Sequence, residues 1–350
     1  MIVNNSRFLT HKITGVQRYA IEISLILQKI CPYIDFITPK NILQSQLAKG
    51  FNVNIYGNLS GHLWEQTELP FYLQKKGNPV LLNLANTAPV FYRRKLVTIH
   101  DLACLNPIWF SKKFNYFYRT LIPKIASNSL KIITVSEFTK RELIKQFDIP
   151  ENKIDVVYNA VSENFINLSF KKHKNKYGEY ILAVSSLSLR KNFKSLILAF
   201  NKLKLKGIKL VIVGAENKIY ENPELKDLIE GNHNIVFTGY VSDEELVGLY
   251  KNAKLFIFPS LYEGFGIPPL EAMACNCPTV VSNVASIPEV CADASYYIDP
   301  NNINSIAKGI YEVINDETLQ NELKQKGIQR VKKFSWEDSA RKIAEIIKDY

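Results

Sequence analysis

The sequence has few cysteines and no long hydrophobic run. Its five cysteines are an odd number and form no C-x-x-C pair, so they do not fit a disulfide framework. No apolar segment reaches the roughly 18 residues that a membrane-spanning helix needs. The first twenty residues also lack the continuous apolar core of a signal peptide. We therefore predict a cytoplasmic protein with reduced thiols, whose contact with any membrane would be peripheral.

Acidic residues are fewer than basic ones. The 350 residues include 44 Lys and Arg against 33 Asp and Glu, a net charge of +11. An excess of positive charge favours phosphorylated substrates, nucleic acid or an acidic membrane surface as partners. Nucleic acid is disfavoured, because the basic residues are spread along the chain and no nucleic-acid-binding motif is visible. The 47% hydrophobic and 22% charged content excludes wholesale disorder, and the length predicts about two domains.

Short Val- and Ile-rich runs alternate with amphipathic stretches along the chain. This alternation predicts parallel sheets covered by helices on both faces, so the fold class is α/β. Strands are predicted at 80–84, 96–99, 132–135, 154–157, 180–184, 209–213, 235–237, 255–258 and 279–281. Helices are predicted near 16–29, 114–127, 137–147, 193–205, 223–230, 243–251 and 270–274, and 303–350 contains three more helical patterns. A polar, basic stretch at 170–178 predicts domains 1–168 and 179–334, joined by a linker over 169–178.

The segment EGFGIPPLE at 263–271 gives the strongest indication of a site. An apolar strand enters a glycine-bearing turn, and Pro268 and Pro269 then open a helix. Backbone N–H groups at such a turn, with the helix dipole, bind anions. Glu263 and Glu271 bracket this site. Carboxylates would repel a bound phosphate, so we expect them to bind neutral groups such as sugar hydroxyls. The structural alternative makes Glu263 a solvated loop charge and Glu271 a charge near a helix N-terminus.

The segment 261–282 (LYEGFGIPPLEAMACNCPTVVS) closely resembles the E-x7-E signature of retaining nucleotide-sugar glycosyltransferases of family 4. The segments TGVQRY at 14–19, VTIHDL at 97–102, TVSEF at 134–138 and RKN at 190–192 occur in the order found in that family. Together they resemble the branch that includes O-antigen mannosyl- and rhamnosyltransferases. The resemblance implies the GT-B fold, with two Rossmann-like domains whose parallel sheets face each other across a cleft. It also implies no cofactor and no metal, and the sequence has no D-x-D motif.

The resemblance assigns donor-binding roles in the second half of the chain. Glu263 would hold hydroxyls of the donor sugar and Glu271 the ribose hydroxyls. Lys191 matches the diphosphate lysine of the family, and Arg190 is the candidate to replace a second basic residue, where this chain has Ser186. The remaining donor-site residues are expected to act largely through their backbones: Phe265, Gly266 and Ile267 on the sugar and diphosphate, and Gly214, Tyr240 and Val241 on the base.

The resemblance also assigns roles in the first half of the chain. Gly15 aligns with the glycine-rich loop that approaches the diphosphate, although a single glycine at a helix start can be purely structural. His100 ends a predicted strand and would contact the sugar or the acceptor, and we group it with Glu263 and Lys191 as catalytic candidates. Asp101 and Arg18 are candidates for the acceptor side, and the alternative for Asp101 is a loop cap. His11 is a weaker acceptor-side candidate than these.

We therefore expect a retaining, metal-independent hexosyltransferase acting in the synthesis of a bacterial surface polysaccharide such as O-antigen or capsule. The donor would be a nucleoside-diphosphate sugar carrying mannose or a deoxyhexose such as rhamnose. The acceptor would be a saccharide or a lipid-diphosphate-linked saccharide, reached from the cytoplasm or the cytoplasmic face of the inner membrane. Two alternatives remain open at this point: a nucleotide-sugar hydrolase or epimerase of the same fold, and a non-catalytic nucleotide-sugar-binding protein.

Two further segments carry expectations about packing. The segment WFSKKFNYFYR at 109–119 is either an amphipathic helix that buries Phe114, Phe117 and Leu121, or an exposed aromatic and basic edge that meets a membrane. The segment 335–350 is predicted to be a helix with one apolar face and Ser335 as its N-cap. By resemblance, this last helix crosses back to the first domain.

Overall fold

The computed structural model describes residues 1–171, 173–186, 188–214, 228–230 and 232–350. The chain divides into two compact units, Met1–Asn159 with Ser335–Tyr350, and Ala160–Phe334. This division lies earlier than the predicted boundary at 168/169. The reason is a helix at Glu163–Ser169, which belongs to the second unit because Phe165 packs edge-on against the ring of Tyr250 at 6.1 Å.

The first unit contains a seven-stranded parallel sheet with the strand order β3-β2-β1-β4-β5-β6-β7. Its strands are β1 (Ile2–Asn5), β2 (Ile34–Thr38), β3 (Asn54–Ile55), β4 (Val80–Asn83), β5 (Lys95–Ile99), β6 (Lys131–Thr134) and β7 (Ile154–Val156). Its helices are α1 (Gly15–Ile30), α2 (Ser45–Gly50), α3 (Gly61–Gln66), α4 (Glu68–Lys75), α5 (Lys112–Ser127) and α6 (Glu137–Phe147).

The second unit contains a six-stranded parallel sheet with the strand order β10-β9-β8-β11-β12-β13. Its strands are β8 (Glu179–Val184), β9 (Ile208–Val213), β10 (Ile235–Phe237), β11 (Leu255–Phe258), β12 (Thr279–Ser282) and β13 (Tyr296–Ile298). Its helices are α7 (Glu163–Ser169), α8 (Phe193–Leu203), α9 (Asp243–Asn252), α10 (Ile267–Ala274), α11 (Ile287–Cys291), α12 (Ile303–Asn315) and α13 (Glu317–Val331). The predicted helix at 223–230 falls mostly outside the described residues.

The central strands of both sheets are buried on both faces, as their continuous apolar sequences predict. In the first unit Val97, Ile99 and Ile132 pack with Ile125 of α5. In the second unit the core joins strand residues such as Ile212 and Ile257 to helices α8 and α12. Each unit is thus a Rossmann-like layer structure, which confirms the predicted α/β class with parallel sheets.

The last helix, α14 (Trp336–Lys348), packs on α1 of the first unit. Ser335 caps it by accepting a hydrogen bond from the Asp338 backbone at 3.2 Å. The Trp336 ring meets that of Tyr19 at 5.8 Å, and Ile343 and Ile347 are buried. The apolar face of this helix therefore closes the core of the first unit.

Helix α5 exposes most of its aromatic side chains. Leu121 is buried, but Phe114 and Phe117 are 39% and 43% exposed and Tyr116 is 73% exposed. The interpretation of Phe114 and Phe117 as core residues is therefore wrong, because the buried stripe of α5 runs through Leu121, Ile122 and Ile125 instead. Among the described helices, none is long and apolar enough to cross a bilayer.

Candidate functional site

The turn between β11 and α10 is built around a required glycine. Gly266 has φ +97°, and a Cβ there would lie 2.6 Å from the Ile287 side chain. Helix α10 begins directly after it, with prolines in its first turn. A backbone N–H at these positions would have no partner within the helix, so proline costs no hydrogen bond there. The Ser286 hydroxyl donates to the carbonyls of Glu263 and Phe265 at 2.9 and 3.0 Å. The turn is therefore held in one shape at the positive end of a helix dipole.

Glu263 lies in this turn and is paired with two cations. Its Oε1 accepts from Lys191 Nζ at 2.5 Å, and its Oε2 accepts from Arg190 Nη1 at 3.0 Å. Glu263 and Lys191 are only 7% and 8% exposed. Burial by itself raises the pKa of Glu263, but the charges of Lys191 and Arg190 outweigh burial and hold that pKa below its usual value. The side chain is therefore a carboxylate at neutral pH, and the three groups together carry one net positive charge.

The segment 189–192 is fixed to the same turn by several hydrogen bonds. Leu261 N donates to the Arg190 carbonyl at 2.7 Å. Asn192, with φ +60°, donates from Nδ2 to the carbonyls of Pro259 at 3.2 Å and Pro300 at 2.7 Å. These bonds join residues that are about 70 or more positions apart in the chain and place Lys191 beside Glu263.

Glu271 lies on α10 beyond its first turn, as the fifth residue of that helix. The helix begins at Ile267, and the two prolines are its second and third residues. Glu271 Oε2 accepts from the Tyr250 hydroxyl at 3.1 Å. Burial raises the pKa of Tyr250 well above 10, so the phenol stays protonated and serves as a donor. Sequence reasoning missed Tyr250, because it lies on α9 with no neighbouring motif.

The expected base-contacting segments lie after β9 and β10. Gly214 has φ +154°, and a Cβ there would lie 2.0 Å from the Ser185 carbonyl oxygen, so only glycine fits. Its N–H donates to the Gly239 carbonyl at 3.1 Å. Tyr240 is 87% exposed, Val241 is half-buried, and Ser186 is exposed. The carboxyl ends of β8, β9, β10 and β11 thus carry most of the predicted donor residues, which is where open α/β sheets bind ligands.

In the first unit, Gly15 begins α1. A Cβ at Gly15 would meet nothing within 4 Å, so the fold itself does not require glycine there. Thr14 precedes it and donates to Gln17 Oε1 at 2.5 Å, while Arg18 N donates to the Thr14 carbonyl at 2.8 Å. The Arg18 side chain is half-buried. The start of this 16-residue helix has no acidic residue in its first turn, which leaves its N-terminal field positive.

His100 follows β5 and is held by its surroundings. Its Nε2 donates to the Leu84 carbonyl at 3.0 Å, which leaves Nδ1 unprotonated in the neutral ring. Its ring meets that of Tyr19 edge-on at 4.8 Å, and its carbonyl accepts from the Thr139 hydroxyl at 3.2 Å. Burial lowers the pKa of His100. The hydrogen bond to Leu84 and the charge of Asp101 raise it by less, so the pKa lies below 6.5. The imidazole is therefore neutral at pH 7.

Asp101 accepts from the backbone N–H of Ala103 at 3.1 Å. This bond holds the loop that leads into the short turn Ala103–Leu105. Among the described residues, no group of three or more His, Cys, Asp or Glu side chains is arranged to hold a metal ion. The structure thus brings Glu263, Lys191 and Arg190 into contact, with Glu271 on the helix that follows the turn, and places Gly15, His100 and Asp101 in the other unit.

Comparisons with known proteins match both halves of the chain. Residues 13–165 match a family model described as Glycosyltransferase Family 4, and residues 164–330 match one described as Glycosyl transferases group 1. The chain is 32% identical over 268 residues to O-antigen chain mannosyltransferase B of Escherichia coli, covering 71% of this chain and 70% of that protein. It is 28% identical over 331 residues to O-antigen chain mannosyltransferase RfbU of Salmonella typhimurium, covering 89% and 90%.

Solved structures agree on the fold. The crystal structure of Anabaena HepE in complex with UDP and glucose matches with a TM-score of 0.77 and 18% identity, covering 100% of this chain and 99% of that one. The crystal structures of a glycosyltransferase from Rickettsia africae and of WaaG, a glycosyltransferase involved in lipopolysaccharide biosynthesis, also match. At this identity the likeness establishes the fold, which is GT-B, and agrees with the two parallel α/β sheets that the sequence resemblance implied.

Proposed function

Because the chain belongs to glycosyltransferase family 4, we propose that it is a retaining hexosyltransferase that uses a nucleoside-diphosphate sugar. The hexose would be mannose or a deoxyhexose such as rhamnose, passed to a saccharide or lipid-linked saccharide during O-antigen or capsule synthesis. The names of the two O-antigen mannosyltransferases support this choice of sugar. The observation that carries the proposal is the contact of Glu263 with Lys191 and Arg190 beside the start of α10.

The reaction breaks the bond between the anomeric carbon and the diphosphate oxygen, and it forms a bond from the same carbon to an acceptor hydroxyl oxygen. The acceptor hydroxyl approaches the face of the ring from which the diphosphate leaves, and its proton passes to the departing phosphate oxygen. Negative charge grows on the diphosphate as the bond breaks. Stabilising such charge usually contributes more to catalysis of this kind than any other effect. The net positive group around Glu263 and the N–H groups of Phe265, Gly266 and Ile267 would supply that stabilisation, and Gly15 would let the start of α1 approach the diphosphate.

Glu263 would also position the donor sugar. A carboxylate offers about four acceptor sites, and Lys191 and Arg190 each occupy one. The remaining sites can accept from sugar hydroxyls, and Glu271 would accept from the ribose. Gly214, Tyr240 and Val241 would line the base, with the exposed Tyr240 ring offering a surface for stacking. His100, together with Asp101 and Arg18, would face the sugar or the acceptor.

We further propose that transfer needs no metal ion. The support is that Lys191, Arg190 and the helix start provide positive charge where diphosphate-dependent enzymes of other kinds use a cation. Activity should survive an excess of EDTA. Complete loss that Mg²⁺ or Mn²⁺ restores would contradict this part of the proposal.

The cytoplasmic face of a membrane is the proposed place of action. Tyr116 and Ile108 are 73% and 74% exposed, and Lys112, Lys113 and Arg119 beside them are exposed too. Exposed aromatic side chains with basic neighbours suit the interface of an anionic bilayer. Sedimentation with vesicles containing anionic lipid tests this, with Lys112→Glu combined with Lys113→Glu as the variant expected to remain in the supernatant.

A transfer assay tests the central proposal. The purified chain is incubated with a panel of GDP-, UDP- and dTDP-hexoses and a mannose-terminated oligosaccharide, and NMR of the product reads the new anomeric configuration. We expect transfer from one donor class with the anomeric configuration kept. An inverted product would contradict the retaining mechanism, and hydrolysis of every donor without transfer would contradict the transferase activity.

A further inference from the structure

Tyr250 is a fully buried residue of α9 in the second unit. Its ring packs edge-on against Phe165 at 6.1 Å and Phe256 at 5.3 Å. A buried tyrosine hydroxyl usually finds a hydrogen-bond partner. Here the hydroxyl donates to Oε2 of Glu271 at 3.1 Å. A donor in the core of the unit therefore contacts a residue that is expected to bind the nucleotide.

Helix α9 holds the Tyr250 ring in place through contacts at both of its ends. The helix begins with the capping box of Ser242 and Glu245. Near its end, Lys251 donates from Nζ to the carbonyl of Ser169 on α7. With the helix and the ring both fixed, the phenol oxygen has one position beside Glu271, and its hydrogen moves only by rotation about the C–O bond.

Glu271 is a long, half-buried side chain. A glutamate loses rotamer freedom when a ligand fixes it, and that loss weakens binding. A partner that already holds the carboxylate in the free protein removes part of this cost. The hydroxyl uses one of about four acceptor sites of a carboxylate, so Tyr250 can orient the group while it accepts from hydroxyls of a ligand.

The direction of this bond is fixed by the chemistry of the phenol. Burial and the nearby charge of Glu271 raise the pKa of Tyr250 well above 10. The phenol therefore keeps its proton at neutral pH. Tyr250 donates, and Glu271 accepts.

The bond has a structural explanation as well, in which Glu271 merely satisfies a buried hydroxyl. Tyr180 shows how the same unit meets that need without a charge. It is 1% exposed, and its hydroxyl donates to the backbone carbonyl of Leu249 at 2.7 Å. A carboxylate is a costly group to place in a partly buried position, and a buried tyrosine does not require one. The pairing of Tyr250 with Glu271 therefore favours a role for the carboxylate.

We propose that Tyr250 is a positioning residue that holds Glu271 for the ribose hydroxyls of the bound nucleotide. The inference rests on the proposed function, which assigns the ribose to Glu271. Tyr250 acts through Glu271 and does not touch the nucleotide. Loss of its hydroxyl should therefore weaken binding of a nucleotide that has ribose hydroxyls and leave binding of an analogue without them nearly unchanged.

The variant Tyr250→Phe tests the proposal, because it removes one oxygen atom and keeps the ring that packs against Phe165 and Phe256. Tyr180→Phe is the matched control. It also removes a buried hydroxyl that donates to α9, but this hydroxyl bonds to the Leu249 carbonyl and not to Glu271. Glu271→Ala gives the full loss, and its combination with Tyr250→Phe shows whether Tyr250 acts through Glu271.

Binding is measured by isothermal titration calorimetry on the full chain. The probes are GDP, UDP and dTDP, each beside its 2′,3′-dideoxy analogue. Wild type and Tyr180→Phe should bind at least one nucleotide about tenfold or more tightly than its dideoxy analogue. Tyr250→Phe should lower this preference by about fivefold or more, with little change in affinity for the analogue. Adding Tyr250→Phe to Glu271→Ala should cause no further loss.

Transfer kinetics give a second readout. Tyr250→Phe should raise the KM of the nucleotide sugar by about fivefold or more and change kcat by less than about twofold, because ribose binding is the same in the ground state and the transition state. Thermal unfolding shows that each variant is folded. A purely structural role for Tyr250 would lower the unfolding temperature without changing the preference for ribose hydroxyls.

A wild-type preference in folded Tyr250→Phe would overturn the inference, as would an equal loss in Tyr180→Phe. A further loss when Tyr250→Phe is added to Glu271→Ala would overturn it too. A crystal structure of the wild type with the bound nucleotide needs no variant to fold. Glu271 should contact a ribose hydroxyl there while it still accepts from Tyr250, and a carboxylate that has left Tyr250 would contradict the proposal.

The failure of this inference can be distinguished from the failure of the proposed function, because nucleotide binding needs no transfer. A preference that Tyr250→Phe weakens, in a wild type that transfers no sugar, would contradict the proposed function and leave this inference standing. A preference lost in Glu271→Ala but kept in Tyr250→Phe would overturn the inference alone. A wild type that binds none of these nucleotides, or binds them without this preference, would contradict both.

Discussion

Replacing Lys191 by alanine tests the charge arrangement around Glu263. The change removes one of two cations that contact the carboxylate, so the net charge of the group falls from +1 to zero. One unit charge about 5 Å from a developing charge of −1 contributes about 3 kcal/mol at an effective dielectric of about 20. Losing that amount from the transition state lowers the rate by about a hundredfold or more. We therefore expect kcat/KM to fall by at least about a hundredfold, mostly through kcat.

Steady-state transfer kinetics measure this effect, together with thermal unfolding to show that the variant is folded. Breaking a buried pair costs about 3–5 kcal/mol when the remaining charge is left alone, and Arg190 should keep the loss of stability below that range. Lys191→Arg retains the charge and should recover part of the rate. Lys202→Ala, an exposed lysine on α8, is the matched control and should leave the rate unchanged. A folded Lys191→Ala protein with more than a tenth of the wild-type kcat/KM would refute the electrostatic argument.

Three further predictions concern other groups. Glu263→Ala should also lower the rate of transfer by at least about a hundredfold, because it removes the hydrogen-bond acceptor of Lys191 and Arg190. Near-normal turnover in a folded variant would show that Glu263 is not part of the site. Ile343→Ala should lower the free energy of unfolding by about 2–5 kcal/mol in urea titrations, because Ile343 is fully buried on α14. The control Lys342→Ala changes an exposed side chain of the same helix and should have little effect. Equal effects of the two variants would argue against the packing of this helix. Because the pKa of folded His100 lies below 6.5, the unfolded chain binds a proton first as pH falls, so stability should decrease between about pH 7 and the lowered pKa. His100→Gln should reduce that decrease, and an unchanged pH profile would contradict the assignment.

Local sequence patterns were sufficient for most of the fold. The strands at 235–237 and 255–258 and the helix at 137–147 were predicted with the bounds that the structure has. The two strands are apolar runs bounded by polar residues or proline, and the helix begins after its N-cap Ser136 and ends at Asp148 in the left-handed conformation. Helix α9 also begins at a local sequence pattern, the capping box of Ser242 and Glu245. Strands β1, β2, β3 and β13 were not predicted. β3 has two residues and β13 three, so both are too short for a period to be visible.

Exposure of the aromatic residues of α5 could not be read from the sequence. Phe114, Phe117 and Leu121 recur at helical spacing, which is typical of a buried face. Which face of a helix is covered depends on where the neighbouring elements lie, and here they cover Leu121, Ile122 and Ile125. Periodicity therefore predicted a helix but could not decide between a buried and an exposed aromatic face, and the structure decides for exposure.

The sequence by itself determined the alternation of strands and helices, the turn at 263–271 and the family resemblance, because each depends on residues that are close together in the chain. Tertiary structure alone decided the ion pairs of Glu263, which join positions more than 70 residues apart. It alone also brought the Tyr250 hydroxyl to Glu271, although the tyrosine taken singly looks ordinary. Parallel strands place their carboxyl ends side by side whatever their distance in sequence, so the chemistry at that edge appears only once the strand order is known.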